Sequence, residues 1–243
     1  MEKILLGDCL ELMKNIPSKS IDMILCDLPY QVTRQKWDVI IPFKLLWEQY
    51  ERIIKDNAAI VLTATEPFRS KLIMSNPDLF KYDLIWVKNN STGFLNAKKQ
   101  PLRQHESILV FYRKPPTFNP QKTNGHKPVN TYTHNQGANT LIYSETKRGF
   151  KGGGQTDRYP TSVLNFSVVG NGKNKYHSNE KPVALMEYLI KTYTDKGDTV
   201  LDNCAGSGST LVAAKNAGRQ FIGIEKEKKY YDVILNRMQG GLW

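Results

Sequence analysis

The feature that most constrains this chain is a stretch towards its C-terminal end, GDTVLDNCAGSGSTLVAAKNAGRQFIGIEKE, residues 197–227. An apolar run, Thr199–Leu201, ends at Asp202, and a small-residue turn with Gly206 and Gly208 follows. A helical stretch opens at Ser209–Thr210, and a second apolar run, Phe221–Ile224, ends at Glu225. Glycines let a chain turn tightly and let a ligand approach the backbone. An acid about twenty residues further on, at the end of the second strand, is where a nucleotide-binding βαβ unit holds a ribose. Two details separate the turn from a dinucleotide site: Leu211 stands where the third glycine of GxGxxG would be, and Asp202 directly precedes the turn. That carboxylate would repel a pyrophosphate and attract the ammonium and sulfonium of S-adenosylmethionine. On the turn alone, a nicotinamide cofactor stays open as the alternative.

The rest of the chain alternates in the same way. Strands are expected at Lys3–Leu6, Asp22–Cys26, Ala58–Ala64, Tyr82–Val87 and Ser107–Tyr112, besides Thr199–Leu201 and Phe221–Ile224. Helices are expected at Cys9–Ile16, Phe43–Ile54, Phe68–Ser75, Val183–Thr194, Ser209–Ala217 and Lys228–Met238. In the second of these, Leu46, Tyr50, Ile53 and Ile54 recur at helical spacing. Such alternation predicts an α/β fold, a mostly parallel sheet with helices on both faces.

One segment departs from that pattern. Residues 114–176 hold eight glycines, the run Gly152–Gly154 among them, and nine Lys and Arg against two acids, Glu145 and Asp157. Phe118, Tyr132, Tyr143, Phe150, Tyr159, Phe166 and Tyr176 are interspersed. Basic residues among aromatics suit a surface that grips phosphates and stacks on bases, and the formal net charge of +11 points the same way. A solvated surface insertion is the plainer reading. The expected organisation is therefore 1–113, catalytic half; 114–176, target-recognition insertion; and 177–243, cofactor half. Lys147, Arg148, Lys151 and Arg158 are the candidate DNA contacts.

Near the other end of the chain, Ile21–Cys26 delivers Asp27-Leu28-Pro29-Tyr30 at a strand terminus, the edge where open α/β sheets bind ligands. The exocyclic nitrogen of adenine or cytosine is a poor nucleophile because its lone pair is delocalised into the ring. A carboxylate (Asp27) and a carbonyl (Leu28, stiffened by Pro29) that each accept one amino hydrogen can hold the nitrogen pyramidal, its lone pair towards a methyl donor. Tyr30 offers a flat face to an extruded base.

DLPY upstream and DNCAGSGST downstream together resemble the DNA amino-methyltransferases, and their order is that of the permuted β group. The resemblance extends over nearly the whole chain, through TATEPF (Thr63–Phe68), residues 88–112 and NEKPVALMEYLIKTY (Asn179–Tyr193). It implies a Rossmann-like S-adenosylmethionine-dependent methyltransferase fold with a seven-stranded mixed sheet. It also implies a double-stranded DNA substrate, base flipping and direct transfer to adenine, as in phage and bacterial enzymes. Restriction–modification is the setting it brings. In it Asp8 contacts the adenine amino group of the cofactor, Glu225 holds the ribose hydroxyls, and Asp202, Gly206, Gly208, Ser209 and Thr210 wrap the methionine portion. Lys181-Pro182 leads into the helix beside the cofactor. The chain departs from the family in Leu28 and Asn203, each where Pro is frequent, and in Glu180, where Gln is usual. A homodimer is the assembly the resemblance adds to an otherwise open question.

Ring-carbon cytosine methylation requires a cysteine nucleophile; Cys9, Cys26 and Cys204 do not follow a proline, and Cys26 lies in an apolar strand. Three cysteines without a CxxC pair, and four histidines without ligand spacing, predict neither a disulfide framework nor a metal site. With no signal-like start and no spanning apolar run, a cytoplasmic, non-membrane protein is expected. Cytosine amino-group methylation, an RNA amino-methyltransferase, a catalytically dead DNA-binding module and a nicotinamide oxidoreductase are the other readings.

Overall fold

The computed structural model describes residues 2–33, 35, 38–133, 151–170, 176 and 180–239. They form two compact units: one of the residues up to Asn119 and from Ser162 onward, the other of Pro120–Thr161. Residues 114–119 and 162–170, expected within the insertion, thus belong to the first unit.

The first unit is built on a mixed sheet of eight strands. In chain order they are β1 (Glu2–Leu6), β2 (Ile21–Cys26), β3 (Ile54–Ala64), β4 (Phe80–Thr92), β5 (Arg103–Phe111), β8 (Val163–Asn165), β9 (Thr199–Asp202) and β10 (Gln220–Glu225). β6 (Tyr132–Thr133) and β7 (Lys151–Gly152) belong to the second unit. The sheet order is β1-β10-β9-β2-β3-β5-β4-β8. β1 through β3 run parallel, β5 is antiparallel to both β3 and β4, and β8 is parallel to β4. This is the Rossmann-like methyltransferase fold, with one strand more than the seven expected. The additional strand, Val-Leu-Asn, is too short for a periodic signal and lies in the polar Gly/Asn-rich segment; only Leu164 is buried.

Side-chain alternation along the strands explains the layers. Ile24, Cys26, Ile60, Leu62, Leu109 and Phe111 enter one core with residues of α2 (Phe43–Ile53) and α3 (Phe68–Ser75) and with Met13 of α1 (Cys9–Met13). Met23, Leu25, Ala59, Val61, Ile108 and Val110 enter the other, with α4 (Val183–Tyr193), α5 (Ser209–Asn216) and Ile234 of α6 (Lys228–Gln239). The central strands are covered on both faces, which is why they read as continuous apolar runs. α5 lies close on β10: a Cβ built on Gly223 would meet a Leu211 methyl at 2.3 Å.

In the second unit β6 and β7 pair antiparallel. Two glycines of the run 152–154 are packing requirements there. A Cβ on Gly152 would strike the Tyr132 ring at 2.6 Å, and one on Gly153 the Asn130 carbonyl at 2.4 Å. Among the described residues no helix is long and apolar enough to cross a membrane.

Candidate active site

Parallel β2, β9 and β10 end at one edge of the sheet, and a cavity of about 680 Å³ opens there. Asp27–Tyr30, Asp202–Ser207 and Glu225–Glu227 all line it, so the two motifs, far apart in sequence, share one space.

On one side of this cavity stands a charge cluster. Asp27 Oδ1 accepts hydrogen bonds from the Tyr30 hydroxyl (2.6 Å) and from Thr63, and those two hydroxyls lie 2.8 Å apart. Asp27 Oδ2 accepts from Lys181 Nζ at 2.6 Å. Lys181 Nζ also lies 3.3 Å from Glu106 Oε2, and the other oxygen of Glu106 pairs with Lys88. Burial disfavours the Lys181 ammonium, but Asp27 and Glu106 outweigh it and hold its pKa above the ordinary lysine value. Burial likewise raises Glu106, and the two lysines reverse this and lower it. A carboxylate has about four lone-pair sites, so Asp27 keeps acceptor capacity towards the cavity. The backbone carbonyl of Leu28 takes no donor among the described residues. One face of the Tyr30 ring is stacked on Phe68, 4.9 Å between centroids, and the Lys181 ammonium lies 5.7 Å from the ring centroid. The loop after the tetrapeptide is pinned by buried Asp38, which accepts the N–H groups of Gln31, Val32 and Thr33.

On the other side lie two buried carboxylates without a Lys or Arg partner among the described residues. Asp202 accepts from the Cys204 N–H at 3.1 Å. Glu225 accepts from the Gly206 and Glu227 N–H groups, each at 2.7 Å. Burial pushes the Asp202 pKa up to about 6, against the pull of the Thr210 hydroxyl and the Cys204 amide. Burial also raises Glu225. Gly206 and Gly208 adopt left-handed conformations, and Gly208 starts α5 without a side-chain cap, so Ser209 and Thr210 open a helix whose first N–H groups are unclaimed by a side chain. Asp8 caps α1 through the Leu10 N–H and reaches Lys226 with its other oxygen, 3.2 Å away.

Several expectations need revision. Lys181, expected beside the cofactor, is paired with Asp27 of the Asp27–Tyr30 tetrapeptide and with Glu106, while Pro182 is the N-cap of α4. Glu106, not among the expected site residues, is buried between two lysines on the cavity wall. Glu180 pairs with Arg237 of α6 (2.7 Å) and accepts from Ser209 (3.2 Å), which an amide could match only in part. Asn203 Oδ1 accepts the buried Tyr50 hydroxyl, a contact that proline could not make. Arg158 turns its guanidinium onto the carbonyls of Gln155, Asp157 and Lys127, so it braces the second unit before it can grip a phosphate. Lys151 is exposed; Lys147 and Arg148 lie outside the described residues. Cys26, by contrast, is buried as its apolar strand leads one to expect, and burial pushes its thiol up to about 12.

A carboxylate whose pKa lies near 6 binds a cation only once it has lost its proton. Affinity for a cationic cofactor at Asp202 is therefore expected to be level above pH 7 and to weaken as pH falls through about 6. Calorimetric titration between pH 5 and pH 8 (about the range in which such a group changes charge) measures it.

The chain is similar to known proteins. Residues 21–236 match a family model for N6/N4 methyltransferases, described as DNA methylase. The type II methyltransferase M.HinfI of Haemophilus influenzae is 30% identical over 98% of this chain and 68% of its own length. The DNA adenine methyltransferase YhdJ of Escherichia coli is 29% identical over 97% of this chain and 82% of its own. The crystal structure of an M1.HpyAVI–SAM complex superposes with a TM-score of 0.65 at 25% identity, covering 98% of this chain and 100% of that one.

Proposed function

Because the chain belongs to the DNA methylase family, we propose that it transfers the methyl group of S-adenosylmethionine to the exocyclic amino group of adenine in double-stranded DNA, in the motif order of the permuted β group. The observation that carries this reading is the meeting, in one cavity, of an amino-hydrogen acceptor pair, Asp27 and the Leu28 carbonyl, with two buried acids that lack cationic partners among the described residues. Unpaired buried acids fit a cofactor with an ammonium, a sulfonium and ribose hydroxyls. Support for the donor comes from the complex that M1.HpyAVI forms with SAM, and support for adenine from the relative YhdJ.

Asp202, with the turn residues Gly206, Gly208, Ser209 and Thr210, holds the methionine portion, Glu225 the ribose, and Asp8 the adenine moiety. When bound, S-adenosylmethionine supplies the electrophilic methyl group. Asp27 and the Leu28 carbonyl accept the two amino hydrogens of a base flipped from the duplex, and Pro29 fixes the carbonyl's direction. Tyr30 stacks on that base. Transfer is direct, since Cys26 is buried away from the cavity and the two thiols that line it, Cys9 and Cys204, are raised by their cysteine neighbours and by burial. The second unit, Pro120–Thr161, is the target-recognition region, and Lys147, Arg148 and Lys151 contact phosphates. Neutralising those three together is expected to weaken DNA binding and to reduce the log–log salt slope by about 0.9 for each phosphate left without its lysine or arginine, with cofactor affinity unchanged. Fluorescence anisotropy across a salt series measures it.

The proposal as a whole is tested by sequencing methylated DNA from cells that express the protein, which reports base and site together. Methylated adenine within a fixed short sequence is expected; methylation confined to cytosine amino groups overturns the choice of base.

A further inference from the structure

Lys181 carries the least expected geometry in the molecule. Its ammonium is buried, lines the cavity, and is fixed by Asp27 at 2.6 Å and Glu106 at 3.3 Å. Because Glu106 is also held by Lys88, the cluster sets two ammonium groups against two carboxylates and is balanced. An ammonium has three donors. One serves Asp27, and the contact with Glu106 is an ion pair without a well-aligned hydrogen bond. Donor capacity therefore remains beside the very carboxylate that is to hold the target amino group.

On adenine and on cytosine the exocyclic amino donor has a ring-nitrogen acceptor as its immediate neighbour on the Watson–Crick edge. On thymine a carbonyl stands beside an N–H, and on guanine the ring position beside the amino group is itself an N–H. With Asp27 placed on an exocyclic amino group, a donor beside it thus matches adenine and cytosine, opposes the N–H of guanine, and finds no amino group to serve on thymine. We propose that Lys181 is a specificity-determining residue whose ammonium donates to the ring nitrogen next to the target amino group, while Asp27 accepts from the amino group itself. The inference rests on the amino-group reading above and deepens it: the Asp27–Lys181 pair reads the edge of the flipped base. Glu106 and Lys88 position the ammonium. For an ammonium as buried as this one such a charge-assisted contact is strong, and an N–H group presented in place of the ring nitrogen would leave two donors opposed.

The test exchanges one atom of the substrate. Once the methylated site is known, duplexes carrying either the natural target base or its 1-deaza-adenine counterpart (3-deaza-cytosine if the base is cytosine) are compared under single-turnover conditions. The wild-type protein is expected to lose about 10- to 100-fold in kcat/KM on the deaza duplex. Weaker base pairing alone would act in the opposite direction, because a loosely paired base is easier to extrude. Lys181→Met is expected to be slow on the natural base, to show no further loss on the deaza base, and to bind S-adenosylmethionine with wild-type affinity. Equal wild-type rates on the two duplexes overturn the proposal, and that comparison needs no variant. So does a Lys181→Met protein that keeps the full deaza penalty, or one whose main defect is in cofactor affinity. If the natural duplex receives no methyl group at all, the amino-methyltransferase reading has failed and this inference falls with it.

Discussion

Asp27→Asn is expected to reduce methyl transfer by at least about 100-fold while leaving cofactor binding and bulk DNA affinity near wild type. The substitution preserves shape but exchanges an acceptor for a donor. Oδ1 accepts two hydroxyl contacts and Oδ2 the Lys181 ammonium. An asparagine keeping its oxygen on Tyr30 and Thr63 would turn its amide N–H towards Lys181 and the target amino group, donor against donor. Positive charge builds on the target nitrogen as the methyl group arrives, so the contact strengthens in the transition state and its removal falls on turnover. Were Asp27 merely the shaper of a turn, asparagine would be close to neutral. Single-turnover transfer of a labelled methyl group, with calorimetry of the cofactor on the same variant, separates the two.

Glu106→Ala is expected to be the most destabilising single change around the site, by about 3–5 kcal/mol at neutral pH. Glu106 and Lys88 are each about nine-tenths buried, and removing the acid strands Lys88 and leaves Lys181 with Asp27 alone. The cluster lowers the folded-state pKa of Glu106. Its contribution is therefore complete above the unfolded pKa, near 4.3, and disappears as pH falls through the lower folded value. Denaturant unfolding should show a large gap between wild type and variant at pH 7 that narrows towards pH 3 (roughly a unit below the unfolded glutamate value). Equal stabilities at pH 7 would mean that the lysines find water or other partners.

What the sequence makes legible follows from which interactions leave a periodic trace. Every strand buried on both faces announces itself as an apolar run, from Ile24 to Leu62 to Ile224, and strand ends locate the ligand edge of the sheet. Both motifs could be read because their residues are contiguous. The charge cluster could not, because Thr63, Lys88, Glu106 and Lys181 come from four separate segments, three brought together by the sheet register and the fourth by the loop that enters α4. One trace was present: Lys88 follows the apolar run of β4, and Glu106 interrupts β5 just before its own apolar run, opposite Trp86 in the ladder. A charge that enters a strand at its buried end calls for a partner. β8 was illegible for a different reason, since its three residues gain their strand geometry by pairing with Ile85–Val87 and carry little propensity of their own. The roles of Glu180 and Arg158 also depended on distant or folded-back partners, Arg237 and three carbonyls, that composition does not reveal.

The central claim is amino-group methylation of a DNA base, and the most direct measurement is nucleoside analysis. Unmethylated genomic DNA is incubated with the protein and labelled S-adenosylmethionine, digested to nucleosides, and the labelled product is identified by mass. The account predicts N6-methyladenine, absent when Asp27→Asn replaces the wild type. Label in N4-methylcytosine would keep the chemistry and displace the base. Label in 5-methylcytosine, or none in DNA from a protein shown to bind the cofactor, would contradict it.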